Sequence, residues 1–167
     1  MIIRQKQGNI NTVDSSHKNI DWLCLQWFET SKRILHKKTK AGTEISLKFL
    51  KENAALTEGD ILFEDETTII AVEVMPCDCL VIKPTRMFEM ASACYEIGNR
   101  HLPLFFDNDE LLVPYENPLY NLLQAHGFIV IKEERKLLHP LKTTISPHGA
   151  KESTTLFSRI MKLSNNE

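Results

Sequence analysis

Histidine and cysteine are the side chains here best suited to chemistry near neutral pH, as metal ligands, proton carriers or nucleophiles. The chain holds six histidines and four cysteines. Cys77 and Cys79 are spaced Cys-x-Cys, whereas Cys24 and Cys94 stand alone. A Cys-x-Cys pair can hold a soft metal ion. On a strand, the same two thiols share one face and pack as small apolar groups. No Cys-x-x-Cys pair occurs, so neither a zinc ribbon nor a thioredoxin-type redox motif is encoded. The stretch that stands out is Cys94-Tyr-Glu-Ile-Gly-Asn-Arg-His101, where a helix ends near Gly98 and a histidine stands in the loop before a strand. Element junctions are where folds present functional groups, although a loop histidine with no role is the simpler reading. No Gly-rich phosphate cradle, G-x-S-x-G elbow or H-E-x-x-H helix is present. Asp107, Asp109 and Glu110 crowd a turn, where solvated surface is expected. With no nucleophile beside an evident base, the chain is not expected to be an enzyme.

Two differently patterned halves must position these residues. Over 20–74, apolar residues alternate: Leu23, Leu25, Trp27, then Ile45, Leu47, Phe49, then Ile70, Val72, Val74. Period-2 alternation marks half-buried strands. Segment 31–50 reads as a hairpin turning near Gly42, and a small antiparallel β domain over 1–75 is expected, with 1–19 a loosely held strand or arm. Beyond Met75-Pro76 the period changes. After a strand at 78–83, Thr85 is the expected N-cap of a helix whose stripe is Met87, Met90, Ala91 and Cys94, closed by Gly98. Strands follow at Leu102–Phe106 and Glu110–Val113. Asn117-Pro118 then opens a second helix with the stripe Leu119, Leu122, Leu123, His126, and Phe128–Ile131 is the last strand. The order is β-α-β-β-α-β, so the fold class is α+β, with a ferredoxin-like domain over 76–140 and a flexible tail over 141–167.

Charge narrows the partners. The 167-residue chain carries 20 Lys+Arg and 22 Asp+Glu, with ten basic and eleven acidic side chains in 1–74 and the same in 75–167. Nucleic-acid binders show a basic face or half, so none is expected here, and no RNP1 pattern appears. No apolar run is long enough for a membrane span, and the start lacks a signal peptide's apolar core, so a cytoplasmic protein is expected. The run Lys32-Arg-Ile-Leu-His-Lys-Lys-Thr-Lys40, which contains His36, suits an acidic partner or simply a solvated strand face. His126, on an apolar helical stripe, is expected to be partly buried, and Met87, Phe88 and Met90 to be packing residues.

The run Gly98-Asn99-Arg100-His101, with Tyr95 before it and Pro103 after, resembles the signature of the UreE family of urease accessory proteins, which are nickel metallochaperones. Other pieces agree in order and spacing: Arg33 with the Lys40–Leu50 hairpin, Leu56-Thr-Glu-Gly-Asp-Ile-Leu62, Pro118-Leu119 with Leu122-Leu123, and Gly127-Phe128. The resemblance covers 30–135. It implies an N-terminal β domain that binds protein segments and a ferredoxin-like metal-binding domain, with His101 as the metal ligand. One imidazole cannot hold Ni²⁺, which takes about four to six donors. A two-fold interface brings the same residue from both subunits to the axis, so the resemblance implies a homodimer sharing one ion. Asn99 and Arg100 could brace the loop that presents His101.

Three departures qualify it, one being that the family's closing Pro-Glu-x-Gly-Ala-Tyr-like stretch is not recognisable here. Family members usually carry a further histidine mid-domain, where this chain reads Pro114-Tyr115-Glu116, and many end in a histidine-rich tail, where this one has only His139 and His148. His148 is the candidate to complete the coordination shell, and about one ion per dimer is the expected load. The implied function is delivery of Ni²⁺, with Zn²⁺ or Cu²⁺ binding in vitro, to urease together with the other urease accessory proteins. The alternatives are an adaptor of the urease assembly complex with a vestigial metal site, and a thiol-based metal-binding protein using Cys77 and Cys79.

Overall fold

The computed structural model describes residues 1–50 and 55–141. The N-terminal half builds two sheets. Strands β1 (Ile2–Ile3), β4 (Ile34–Lys38) and β5 (Glu44–Lys48) form one, in the order β1-β5-β4. Strands β2 (Gly8–Asn9), β3 (Asn19–Leu25), β6 (Asp60–Glu64) and β7 (Thr68–Val74) form the other, in the order β2-β6-β7-β3. The alternation read from sequence decides which side chains face inward: Leu23, Leu25, Ile45, Leu47, Phe49, Val72 and Val74 all enter one core between the sheets. On β7 the opposite parity is buried as well, because Ile69 and Ala71 pack with Ile61 beneath Ile10, Ile20 and Trp22. The N-terminal arm is tied down, with Met1 and Ile2 on β5 and Gly8 and Asn9 on β6.

The expected small β domain is present, but its sheets are mixed rather than purely antiparallel. β3 runs parallel to β7 over Asn19–Leu25, and β1 runs parallel to β5. A parallel pair needs a long crossover, and the β4–β5 hairpin together with β6 supplies it between β3 and β7. Such long-range pairing leaves no local mark on the sequence.

The C-terminal half runs β8 (Cys77–Ile82), α1 (Met87–Asn99), β9 (Phe105–Asp107), β10 (Glu110–Pro114), α2 (Asn117–Ala125) and β11 (Val130–Arg135). Its strand order is β11-β8-β10-β9 with every pair antiparallel, which is the ferredoxin-like arrangement expected. Both helices lie on one face, over Leu80, Ile82, Leu111 and Val113. Cys79, Val81, Phe105 and Leu112 line the other face, beneath Leu137 and Trp27. Because both faces of β8 are covered, its last four residues are all buried.

The two halves meet at named contacts. Trp27, in a 3-10 turn after β3, stands edge-on to Phe105 with ring centres 5.7 Å apart. Lys136 reaches Glu58 at 2.8 Å, and Leu138 packs against the N-terminal core. After β11 the chain crosses the sheet to its far edge. There Phe106 N–H donates to the His139 carbonyl at 3.0 Å, and Leu141 N–H to the Leu104 carbonyl at 2.8 Å.

Helix α1 differs from expectation in register. Its N-cap is Arg86, one residue past Thr85, and Gly98 lies inside the helix rather than ending it. Its inward stripe is Met90, Ala93, Cys94 and Ile97. Met87 and Phe88 are 85% and 78% exposed, so they are not the packing residues expected of them. Periodicity located the helix correctly, but the face packed on the sheet is rotated by part of a turn, keeping Met90 and Cys94 and taking Ala93 and Ile97 in place of Met87 and Ala91. His126, expected to be partly buried, is an exposed C-cap of α2.

Candidate metal centre

Both helices of the C-terminal domain are followed, one residue past the cap, by a residue in the left-handed conformation. At α2, Gly127 takes the left-handed conformation with φ +79°. Its N–H bonds the Gln124 carbonyl at 2.9 Å, and the Phe128 N–H bonds the Leu123 carbonyl at 3.1 Å. That is a Schellman ending with glycine where glycine costs least. At α1 the corresponding residue is His101, with φ +55°, its N–H bonded to the Gly98 carbonyl at 3.0 Å. A non-glycine residue in this conformation is strained by about 1–2 kcal/mol, and such strain concentrates at functional sites. The strained turn throws the imidazole outward, and His101 is exposed.

Arg100 organises the turn. Its N–H bonds Ile97 at 3.1 Å, so the Glu96 carbonyl loses the partner a continuing helix would have given it. The Arg100 guanidinium takes that carbonyl instead, at 2.8 Å, and the Glu96 carboxylate as well, at 2.9 Å. Beside it, Phe88, Ala91, Tyr95 and Gly98 lie at helical spacing on the outer face of α1, all exposed, with Tyr95 at 69%. This stripe of apolar and small residues runs along α1 to its end, where His101 stands. The carbonyl end of a helix also favours a bound cation, which suits a metal ion at His101.

One chain does not complete a site here. Among the described residues no group of three or more His, Cys, Asp or Glu side chains is arranged to hold a metal ion. His148 lies outside the described residues. The other expected features resolve as packing or ion pairs. Cys77 and Cys79 share one face of β8, as strand geometry demands. Cys79 is fully buried, its thiol donating to the Glu133 carbonyl at 3.4 Å. Burial, with the neighbouring Cys77, pushes that thiol up to about 11, far from a ready thiolate. The basic run on β4 is largely neutralised. Lys37 pairs with Glu29, Lys38 with Glu44 at 3.1 Å, and Lys40 with Glu73 at 2.6 Å. His36 Nδ1 meets the Ser46 hydroxyl at 2.8 Å on the outer sheet face. Asp107 and Glu110 are bound to Arg135, at 2.6 and 3.3 Å, and do not form a free carboxylate pair. No helix among the described residues is long and apolar enough to cross a membrane.

Sequence reasoning singled out His101 but missed the outer face of α1, because it took Met87 and Ala91 for the buried stripe. The signal that finds the outer face is a second helical series, Phe88, Ala91, Tyr95, Gly98, running alongside the first.

Comparison with known proteins matches both halves. A family model of the UreE urease accessory protein N-terminal domain covers residues 3–75, and one of the C-terminal domain covers residues 77–155. The chain is 42% identical over 163 residues to a protein named urease accessory protein UreE from Flavobacterium johnsoniae, spanning 98% of this chain and 99% of that one. Two others bear the same name. One, from Haemophilus influenzae, is 41% identical over 84% of this chain and 78% of its own length. The other, from Acetivibrio thermocellus, is 38% identical over 92% and 98%. The chain belongs to the UreE family of urease accessory proteins.

Proposed function

We propose that this protein is a cytoplasmic nickel metallochaperone, not an enzyme, that carries Ni²⁺ as cargo between two copies of itself and delivers it for urease assembly with the other accessory proteins. The observation that carries the reading is His101, strained and exposed at the end of a helix whose adjoining outer face is apolar. Two copies packed along that face bring two imidazoles to one two-fold axis, and an isologous interface supplies each ligand twice. Exposed Phe88 and Tyr95 are the aromatic anchors such an interface needs.

His148 is the proposed additional ligand from each copy. Leu141 is tied to Leu104, three residues beyond His101 in sequence. From Leu141 the tether to His148 extends to roughly 25 Å at full stretch, ample for a site that close to Leu104. Imidazole also accepts Zn²⁺ and Cu²⁺, so both should compete in vitro. Delivery requires ligand exchange rather than bond-making chemistry, and an exposed site assembled from two chains exchanges readily.

The test is titration of the purified protein with Ni²⁺, with the mass in solution measured alongside. The expected result is one tightly held ion per dimer, lost in His101→Ala while the fold is kept. Unchanged stoichiometry and affinity in that variant would remove His101 from the site. The missing histidine at Pro114-Tyr115-Glu116 motivates a second reading, an adaptor with a vestigial site, which requires a wild-type dimer that captures urease components but binds no nickel tightly.

A further inference from the structure

We infer that Arg100 is a positioning residue for the metal ligand: by capping the Glu96 carbonyl it holds α1 in the tightened last turn that sets His101 in its left-handed conformation. The inference rests on the reading of His101 as a ligand.

The chain of bonds is short. A continuing α-helix would send the Arg100 N–H to Glu96, four residues back. Here that N–H turns to Ile97 at 3.1 Å, and the next, from His101, turns to Gly98 at 3.0 Å. Both are three-residue steps, which tighten the turn and free the Glu96 carbonyl. A carbonyl freed at a helix end takes its hydrogen bond from a side chain or from water, and a side chain that does so also fixes the turn it spans. The Arg100 guanidinium is that side-chain donor at 2.8 Å, and the Glu96 carboxylate holds the guanidinium in place at 2.9 Å. Released, His101 can relax from φ +55° to ordinary backbone, which swings its imidazole away from the direction it now takes.

The bland alternative is a solvated Glu–Arg pair four residues apart on a helix surface, worth only a few tenths of a kcal/mol. The two readings predict opposite signs. Arg100 carries positive charge beside a site for a cation, so deleting it on electrostatic grounds alone strengthens nickel binding. Loss of positioning weakens it, by roughly 10-fold or more when a ligand's supporting hydrogen bonds are removed.

The experiment is calorimetric titration of the full chain with Ni²⁺ for wild type, Arg100→Ala, Arg100→Lys and His101→Ala. Thermal midpoints and the ligand-field absorption of the bound ion are recorded for each. The expected result is roughly 10-fold weaker binding and an altered absorption band in Arg100→Ala, with partial recovery in Arg100→Lys, whose ammonium can still reach the Glu96 carbonyl. Wild-type or tighter binding by both Arg100 variants, while His101→Ala loses the ion, overturns the inference and leaves the His101 assignment standing. Wild-type binding by His101→Ala overturns the assignment itself. Should Arg100→Ala lower the thermal midpoint sharply, the comparison of Arg100→Lys with wild type decides.

Discussion

His101 and Gly127 occupy equivalent positions, each the first residue beyond the cap of its helix and each left-handed, with φ +55° and +79°. At α2 the slot is filled by the residue that fits it at least cost, whereas at α1 it is filled by a β-carbon bearing an imidazole. Stability alone would place glycine at both. The departure from that rule falls on the histidine proposed above as the nickel ligand, and backbone strain of this kind concentrates at functional sites.

This relationship sets the sign of a stability change. His101→Gly should raise the thermal midpoint, by about 1–3 °C for a stabilisation of roughly 0.5–1 kcal/mol in a chain of this size, while abolishing tight nickel binding. Differential scanning calorimetry of the metal-free protein gives the first quantity and nickel titration the second. A lowered midpoint would show that the imidazole contributes to the fold.

Trp27 joins the halves, standing edge-on to Phe105 and packing against buried clusters on both sides. Trp27→Ala should cost about 2–4 kcal/mol, below the figure for a fully buried tryptophan because this one is only partly buried. Urea unfolding should also broaden toward two transitions as the N- and C-terminal halves uncouple. A midpoint within 0.2 M urea of wild type, with a single sharp transition, would count against Trp27 as the coupling residue.

Glu89 accepts from the backbone N–H and the hydroxyl of Thr85, both at 2.8 Å, and from Arg86 at 3.0 Å. Thr85 above all, and Arg86 after it, lower the carboxyl to about 2 from its usual 4.5. A depressed carboxyl stabilises the fold above its unfolded value and loses that contribution as pH falls through the folded one. The start of α1 should therefore loosen between about pH 4.5 and 2, seen as faster amide exchange at Thr85. In Glu89→Gln that pH dependence should vanish, and its persistence would assign it to another group.

Cys79 is closed to solvent, and its thiol is raised by burial. Iodoacetamide at pH 8 should alkylate Cys79 only at the rate of unfolding, and the half-buried Cys77 sooner. Mass spectrometry of the timed digest distinguishes the two. Nickel binding that survives Cys77→Ser and Cys79→Ser, as expected, disposes of a thiol site. Loss of nickel in either variant would revive it.

Much of this protein was legible along the chain. Alternation over 20–74 is a property of neighbouring residues, so it marks Leu23, Leu25, Ile45, Leu47, Val72 and Val74 as inward whatever sheet they join. The turn sequence Asp107-Asn-Asp109 and the opening Asn117-Pro118 announce elements locally, and so does a histidine placed just after a helix. Tertiary structure decided what depends on distant partners. The parallel pairing of β3 with β7 and the crossing of 136–141 to the edge of β9 join residues far apart in sequence, and no local preference encodes them. The same holds for the stripe of α1 that meets the sheet. Both of its faces are apolar enough to be buried, and only the shape of the surface formed by Leu80, Ile82, Leu111 and Val113 selects between them. That selection turns Phe88 and Tyr95 outward, leaving an apolar helix face exposed along the path to His101.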